Sequence, residues 1–405
     1  MHLWIRSRVA LLAISITSAF MAMDGHAATL IGEPADGCIM AGRGERANPT
    51  PAEAGLAFPP PQLQIVTPYA PTYFPSGGRQ YLIYELHIEN FSEASMDIMG
   101  IDVVDAGSAS NEPVTSIRPH ELRSVLQPVG AAPQPKDTTH GYRLDEGRTV
   151  VAFLCLAFDG KTALPSRISH RVFLPNGVAS GPDIHAARGP LPVLSAPVAG
   201  TDWTAADGPS NESHHRLGLF VAGGAAQVSR RYAIDWKQIK NGSSFSGDPR
   251  DVHAYHAYGQ DVLAVADAVV VGIKDGLPDN IPRTPAGFNT AVPITMETVA
   301  GNSVILDLGN GQFAYYAHLK AGSLRVTRGD HVKRGQLLAS IGNSGDAREP
   351  HLHFQLATGT DILDSEGMPY VIDRYRVKTG HGWDERAGEL PVRGMIVDFV
   401  PSQTK

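Results

Sequence analysis

The chain has 405 residues, 42% of them hydrophobic and 19% charged, with a formal net charge of −7 at pH 7. That length exceeds what one hydrophobic core usually holds, so we expect two domains. The mild negative charge gives no reason to expect a nucleic acid or an anionic membrane surface as a partner. The 42 glycines and 30 prolines are typical of many turns and short strands, and they predict a mainly β fold.

The first residues have the pattern of a secretory signal peptide. Arg6 and Arg8 precede an apolar run at residues 9–23, and small residues around Ala27 offer a cleavage site. The run is short for a membrane span, so a retained anchor helix is the weaker interpretation. We predict a signal peptide over residues 1–27, a periplasmic or secreted location in a bacterial envelope, and no integral membrane segment after cleavage.

A proline- and glycine-rich stretch, residues 28–75, is predicted to be an irregular lead-in. Residues 76–180 contain several short alternating segments separated by turn residues, which predict a β-sandwich-like domain. Single histidines occur in this region, and lone histidines in strands and loops are usually structural, so we assign no chemical role to His87, His120 and His170.

Cys38 and Cys155 are the only two cysteines of the chain. In an exported protein they could form one disulfide. Alternatively, Cys155 lies in an apolar run and is simply a small buried side chain. The sequence leaves both interpretations open.

Residues 181–201 are rich in proline and are predicted to be a linker. The second domain is predicted over residues 202–380, again from short strands, and residues 381–405 are predicted to be a C-terminal tail. The motifs that carry chemistry all lie in this second domain.

Those motifs contain four side chains that could bind a metal. His351 and His353 stand two residues apart in Pro350-His351-Leu352-His353-Phe354, so in a strand both imidazoles leave the same face. His318 follows Tyr316-Ala317, and Asp235 follows Ala233-Ile234. Histidine and aspartate are zinc ligands, and imidazole is also a proton carrier at neutral pH.

Together with residues 262–267, 301–302, 332–336 and 342–345, and in the same order, these motifs resemble the LytM/lysostaphin-type zinc metallopeptidases, which cut peptide bonds in bacterial peptidoglycan. The resemblance covers roughly residues 210–360. It implies a compact antiparallel β-sheet domain and a Zn²⁺ cofactor. It also implies that the substrate is a peptidoglycan peptide or another secreted peptide.

The resemblance also implies a role for each motif residue. Asp235 and His353 correspond to zinc ligands. His318 and His351 correspond to the catalytic pair that does not bind the metal but orients and deprotonates the attacking water. The family's other ligand is a histidine four residues before the aspartate, where this chain has Arg231. Arginine stays protonated and cannot bind zinc.

A replacement ligand is available at His214 and His215. Residues 216–221 and 228–236 read as a hairpin around a glycine turn. If its loop centres near residue 225, residue 215 lies opposite residue 235, with Cβ atoms about 5 Å apart. A loop shorter by one residue would place His214 there instead. We predict His215 as the third ligand and leave His214 open.

Arg231 has two possible roles beside such a centre. If it shares a strand face with Asp235, it could orient that carboxylate through a charge-assisted hydrogen bond. Alternatively it points to solvent at the rim.

The function predicted from these residues is a secreted zinc metalloendopeptidase acting on peptidoglycan peptides. The alternative is a catalytically degenerate LytM-like domain that binds the cell wall or activates another hydrolase, which the missing histidine favours. A third possibility is that the first domain binds a partner while the second processes a secreted protein.

Overall fold

A computed structural model of the chain describes residues 35, 37–42, 59–110, 112–130, 141–160, 162–284 and 287–399. They belong to one compact unit, Glu33–Lys405. The predicted signal peptide lies outside the described residues. The mainly β class is confirmed, because the described chain contains only one short α-helix, α1 (Leu122–Val125), and one 3-10 helix (Val252–Ala254) beside its strands. No helix in this described part is long and apolar enough to cross a membrane.

The N-terminal half of the described chain forms two large sheets and one small one. Its strands are β1 (Ile39–Met40), β2 (Leu63–Val66), β3 (Phe74–Ser76), β4 (Arg79–Asn90), β5 (Met96–Ile98), β6 (Gly100–Asp105), β7 (Pro113–Ile117), β8 (Leu126–Pro128), β9 (Tyr142–Leu144), β10 (Thr149–Asp159), β11 (Arg167–Leu174), β12 (Gly177–Ser180) and β13 (Ile184–His185).

The long strands β4 and β10 lie at the centre of a six-stranded sheet that also contains β1, β2, β3 and β8. A five-stranded sheet is built from β6, β7, β11, β12 and β13, and β5 pairs with β9. The two large sheets share one hydrophobic core, to which β4 contributes Leu82 and Leu86 and β11 contributes Ile168 and Val172. The β-sandwich-like arrangement of this region stays a prediction.

Both faces of β4 and β10 are buried, although alternation in the sequence indicated only one buried face. Leu82 and Leu154 face the N-terminal core. Ile83 and Cys155, one residue further along each strand, join the large core of the C-terminal half. Because successive side chains point to opposite faces, the six-stranded sheet is covered on both sides, and the side chain of Glu85 points toward the C-terminal half.

The C-terminal half contributes the remaining strands. They are β14 (Val193–Leu194), β15 (Gly200–Ala206), β16 (Phe220–Ala222), β17 (Ala225–Gln227), β18 (Ile234–Gln238), β19 (Asp261–Leu263), β20 (Ala268–Lys274), β21 (Ile281–Thr284), β22 (Gly287–Asn289), β23 (Asn302–Asp307), β24 (Phe313–Leu319), β25 (His331–Val332), β26 (Leu337–Ser340), β27 (Leu352–Ala357), β28 (Val371–Ile372), β29 (Tyr375–Thr379), β30 (Gly382–Arg386) and β31 (Ile396–Phe399).

Ten of these strands form one antiparallel sheet in the order β25-β20-β23-β24-β27-β18-β15-β31-β29-β30. Its core contains Trp203, Trp236 and Phe354, all nearly inaccessible to solvent. The strands that carry the predicted site, β24, β27 and β18, are neighbours in the middle of this sheet.

The segments predicted to be irregular are more ordered than their composition indicated. The lead-in, residues 28–75, supplies β1, β2 and part of β3. The linker, residues 181–201, supplies β13, β14 and the first residues of β15, and the tail, residues 381–405, supplies β30 and β31. Proline and glycine content marks turns, but it does not report short strands that pair with distant partners. The domain boundaries themselves stay a prediction.

The two cysteines form a disulfide, Cys38–Cys155, which ties the segment of β1 to the middle of β10. This resolves the alternative that the sequence left open. The bond closes a separation of 117 residues.

Candidate metal centre

The candidate site begins with Asp235 on β18 and His353 on β27. These strands pair antiparallel, and the two residues lie directly opposite each other in the register. Nδ1 of His353 lies 3.0 Å from Oδ1 of Asp235. Both side chains are buried, at 5% and 3% exposure.

His351 lies directly before β27, on the same side of the sheet as His353, as its alternate position predicts. Its Nε2 is 3.4 Å from Oδ1 of Asp235. The ring of His318 lies 4.9 Å from that of His351 and 5.9 Å from that of His353, centroid to centroid. Both members of the predicted catalytic pair therefore lie beside Asp235 and His353.

The position of His318 depends on an irregularity at the end of β24. Ala317 is the residue that lies opposite His353, so in a regular strand the side chain of residue 318 would leave the other face. The register of β24 against β23 shifts between Asn302 and Val304, and His318 has a φ of 64°. A bulge with left-handed backbone re-aims a side chain, and here it aims His318 at the site.

His215 reaches the same place, but not by the predicted hairpin. The hairpin is β16–β17, with Ala222 opposite Ala225, so its turn centres on Gly223-Gly224 and its register does not extend to Asp235. The predicted register was wrong because β18 pairs instead with β15 and β27. His215 lies in a series of turns after β15, and its Nε2 is 3.5 Å from Oδ1 of Asp235.

His214 lies at the edge of this group. Its side chain is 56% exposed, and its Nδ1 is 3.1 Å from Oδ1 of Asp207. Ligand atoms of His214, His215 and Asp235 all lie within 4.8 Å of one another. The buried position and the contact with Asp235 favour His215 over His214 as a ligand of a metal at Asp235.

The hydrogen bonds of the buried imidazoles leave one nitrogen of each ring facing Asp235 or the open site. Nδ1 of His215 lies 2.9 Å from the carbonyl of Asp207, Nδ1 of His318 lies 2.8 Å from that of Ser344, and Nδ1 of His351 lies 2.7 Å from that of Glu349. A carbonyl only accepts, so these Nδ1 atoms donate, and in the neutral form of each ring the Nε2 atom carries the lone pair.

His353 is turned the other way. Its Nε2 lies 2.9 Å from Oε1 of Gln355, and the amide nitrogen of Gln355 donates to the carbonyl of Ile362 at 3.3 Å. That second contact orients the amide so that its oxygen faces His353. Nε2 then donates to Gln355, so Nδ1, 3.0 Å from Oδ1 of Asp235, is the ring nitrogen that can bind a metal. Such partners are typical of metal-binding histidines, so the donor set fits a zinc ion.

Burial and the neighbouring charges set the protonation states. Burial lowers the pKa of His215 to about 3. Burial opposes the charged form of Asp235, but His351 and His215 outweigh it and hold its pKa well below the usual range. Burial also lowers the pKa of His318, whereas the Asp235 carboxylate overcomes burial at His351 and raises its pKa. Neutral imidazole and ionised carboxylate are the forms that bind metals.

These side chains open onto a cavity of about 660 Å³. Its rim carries charge of both signs, from Arg230, Lys237, Arg348, Asp346 and Glu349. Lys237 is paired with Glu349 at 2.6 Å. A cleft of this size can hold several residues of an extended peptide with the candidate centre at its floor.

Residues 251–365 match peptidase family M23. The chain carries an M23 peptidase domain. It is similar to the peptidoglycan DD-endopeptidase ShyA of Vibrio cholerae serotype O1, with 31% identity over 127 residues, which are 31% of this chain and 26% of ShyA. It is also similar to the glycyl-glycine endopeptidase ALE-1 of Staphylococcus capitis, with 26% identity over 144 residues, which are 35% of this chain and 36% of ALE-1.

Among solved structures, the catalytic domain of lysostaphin from Staphylococcus simulans matches with 20% identity and a TM-score of 0.21, covering 36% of this chain and 80% of that domain. The alignments with the two curated relatives span about a quarter and about a third of the relatives' lengths, 26% and 36%. His318, His351 and His353 lie within the matched residues 251–365, whereas His215 and Asp235 precede them.

Arg231, at the position of the missing histidine, takes neither of the two predicted roles. Its side chain is buried, and its Nε donates to Oε1 of Glu85 at 3.1 Å. The same guanidinium also bonds Oε2 of Glu85 and Oε1 of Glu366. The prediction failed because residue 231 lies in a turn before β18, so strand alternation does not relate it to Asp235.

The sequence analysis did not identify two further residues that contact the candidate site. Gln355 follows the alternation of His351 and His353, so the pattern His-x-His-x-Gln could have indicated it. Asp207 contacts the site through its backbone carbonyl, at a left-handed position with φ 49°. No sequence pattern identifies such a carbonyl in advance.

Proposed function

We propose that the protein is an exported zinc metalloendopeptidase that hydrolyses peptide bonds in bacterial peptidoglycan. The observation that carries this proposal is the convergence of ring nitrogens from three buried histidines, His215, His351 and His353, on Oδ1 of one buried carboxylate, with the ring of His318 beside them in an open cleft. Histidines that serve only packing have no need to direct ring nitrogens at a common point.

In the proposed centre His215, Asp235 and His353 hold the zinc ion. Three protein ligands and one open position are the usual arrangement of a catalytic zinc site. Zinc bound there supplies Lewis acidity, which polarises a carbonyl and lowers the pKa of water to about 7. Asp207 and Gln355 fix the tautomers of the two histidine ligands.

His318 and His351 handle the protons. Each presents Nε2 to the site while its Nδ1 is held by a backbone carbonyl. One accepts the proton of the water whose oxygen adds to the peptide carbonyl carbon. As the carbon–nitrogen bond breaks, a proton from the pair passes to the departing amine, so the products are a carboxylic acid and an amine.

The substrate and the location rest on the relatives and on the disulfide. ShyA and ALE-1 are named as endopeptidases, and ShyA as one of peptidoglycan. Disulfides persist mainly in oxidising compartments outside the cytosol, so the Cys38–Cys155 bond supports export. The predicted signal peptide supports the same location.

The test is metal analysis of the purified mature protein together with digestion of purified peptidoglycan. We expect about one zinc per chain and release of new amino groups, both lost in Asp235→Ala. A zinc-loaded protein that cleaves a secreted protein but not peptidoglycan would correct the substrate and keep the chemistry.

Arg231 in place of the usual histidine favours a second candidate, a degenerate domain that binds the wall or activates another hydrolase. A folded, metal-free protein that sediments with peptidoglycan and releases no amino groups would establish this candidate and end the first one.

A further inference from the structure

Two arginines that lie close in sequence to candidate ligands both form ion pairs with one carboxylate of the N-terminal sheet. Arg216 bonds Oε1 of Glu85, and Arg231 bonds both oxygens of Glu85. Arg231 also bonds Glu366. We call Glu85, Arg216, Arg231 and Glu366 the Glu85 anchor.

The anchor is a neutral group of two cations and two anions that are all withdrawn from water. The exposed fractions are 0% for Arg216, 4% for Glu85, 5% for Arg231 and 7% for Glu366. Buried charges of this kind hold their places strictly, because moving one leaves another without compensation. The anchor therefore fixes the backbone segments from which its side chains come.

Those segments carry two of the three proposed ligands. Arg216 directly follows His215, and Arg231 precedes Asp235 by four residues. Glu85 lies on β4, well outside the M23 match at residues 251–365. The Glu85 carboxylate thus binds Arg231, which stands at the position of the family histidine. Through Arg216 it also holds the segment that carries His215, the proposed replacement ligand.

Other contacts bind the His215 segment to the same sheet. Nη2 of Arg216 donates to the carbonyl of Tyr84 at 2.7 Å, and the Arg216 guanidinium lies 4.9 Å from the ring centroid of Phe153. The side-chain amide of Asn211 donates to the carbonyl of Phe153 at 2.7 Å. Leu217 and Leu219 pack against a small cluster that includes Phe153.

The other histidines are held differently. His353 lies on a strand of the ten-stranded sheet, His318 at the end of another, and His351 next to one. Residues 207–219, which carry His215, contain turns and no strand. Their contacts with the face formed by β4 and β10 include the buried hydrogen bonds of Arg216 and Asn211 and the packing against Phe153.

We propose that Glu85 is a positioning residue of the metal centre, and that the N-terminal sheet thereby completes the zinc site of the M23 domain. The proposal rests on the proposed function, since it takes His215 as a ligand. Glu85 acts through Arg216 and Arg231, so its loss lowers zinc affinity and alters ligand geometry even where the chain stays folded.

The test uses the full mature chain and the variant Glu85→Gln. Its matched control is Asp102→Asn, which removes a buried carboxylate of the same half that bonds Arg171 at 3.0 Å and Ser116 at 2.6 Å. Zinc affinity is measured by competition with a chromophoric chelator, and geometry by the visible absorption of the Co²⁺-loaded protein. Thermal unfolding in EDTA measures the structural cost of each change separately.

We expect Glu85→Gln to weaken zinc binding about 10–100-fold, the usual effect of changing a partner of a metal ligand, and to alter the Co²⁺ spectrum. Asp102→Asn should leave both unchanged at temperatures where it is folded. Wild-type zinc affinity and an unchanged spectrum in folded Glu85→Gln would overturn the proposal.

If Glu85→Gln does not fold, Asn211→Ala takes its place, because it removes one support of the segment without exposing a charge. A several-fold loss of zinc affinity supports the proposal, and unchanged affinity overturns it. Failure of the proposed function is distinct, because the wild type would then bind no zinc, or His215→Ala would bind it as the wild type does.

Discussion

The two halves of the molecule each bury a neutral histidine, and only one of the two lies in the candidate metal centre. His170, in the N-terminal core, is inaccessible and bonds the hydroxyl of Tyr84 at 2.9 Å. His215, in the C-terminal half, is buried against Asp235. Burial lowers the pKa of both to about 3. A depressed pKa therefore does not distinguish the two histidines, whereas only His215 directs a ring nitrogen at a buried carboxylate that other histidines share.

The largest expected effect separates His215 from its neighbour His214. We expect His215→Ala to lose zinc binding and hydrolysis, because a ligand of the proposed centre is removed. His214→Ala should retain both, since its side chain is largely exposed and lies against Asp207. Zinc content after dialysis against buffer checks this. The opposite pattern would make His214 the ligand, and zinc retained by the double variant would remove both.

The next effect separates proton transfer from metal binding. His318→Ala and His351→Ala should keep the zinc ion and lose about 10²–10⁴-fold in turnover, the usual contribution of a positioned acid or base. Zinc content and the rate of peptidoglycan digestion are measured on the same samples. Loss of zinc in either variant would mean that the residue is a ligand, and unchanged turnover would remove it from the mechanism.

The third prediction concerns how His170 makes the free energy of unfolding depend on pH. The unfolded chain protonates residue 170 below pH 6.5, while the folded protein keeps it neutral down to about pH 3. The free energy of unfolding therefore carries no penalty from this residue above pH 6.5. It falls as the pH drops below that value, by up to about 1.4 kcal/mol per pH unit. His170→Gln should show a shallower fall in the free energy of unfolding between pH 6.5 and 4.5, measured with guanidinium chloride. Equal slopes for the two proteins would contradict the assignment.

The smallest expected effect is that of Tyr84→Phe. It removes the hydroxyl that bonds His170, which should cost about 1 kcal/mol of stability. Zinc affinity should not change, because Tyr84 supports the His215 segment only through its backbone carbonyl. A clear drop in zinc affinity would show that the two histidine environments are coupled through β4.

The β class and the M23 resemblance were predictable because both depend on local pattern. Short alternating segments indicate strands wherever they pair, and the His351–His353 spacing keeps both rings on one side of a strand. The choice of His215 was reached through a hairpin register that the structure does not contain. The arrangement that brings it to Asp235 is a series of turns supported by the N-terminal sheet, and no local pattern encodes that support.

The sequence by itself determined the mainly β class, the nearness of His351 and His353, and the departure at Arg231, because these depend only on residue identity and strand periodicity. Only the tertiary structure decided how His318 turns toward the site, which imidazole nitrogens carry protons, and that the Arg231 guanidinium is bound by Glu85. The last contact joins positions 146 residues apart. Its geometry depends on the packing of whole sheets, which local propensity does not specify.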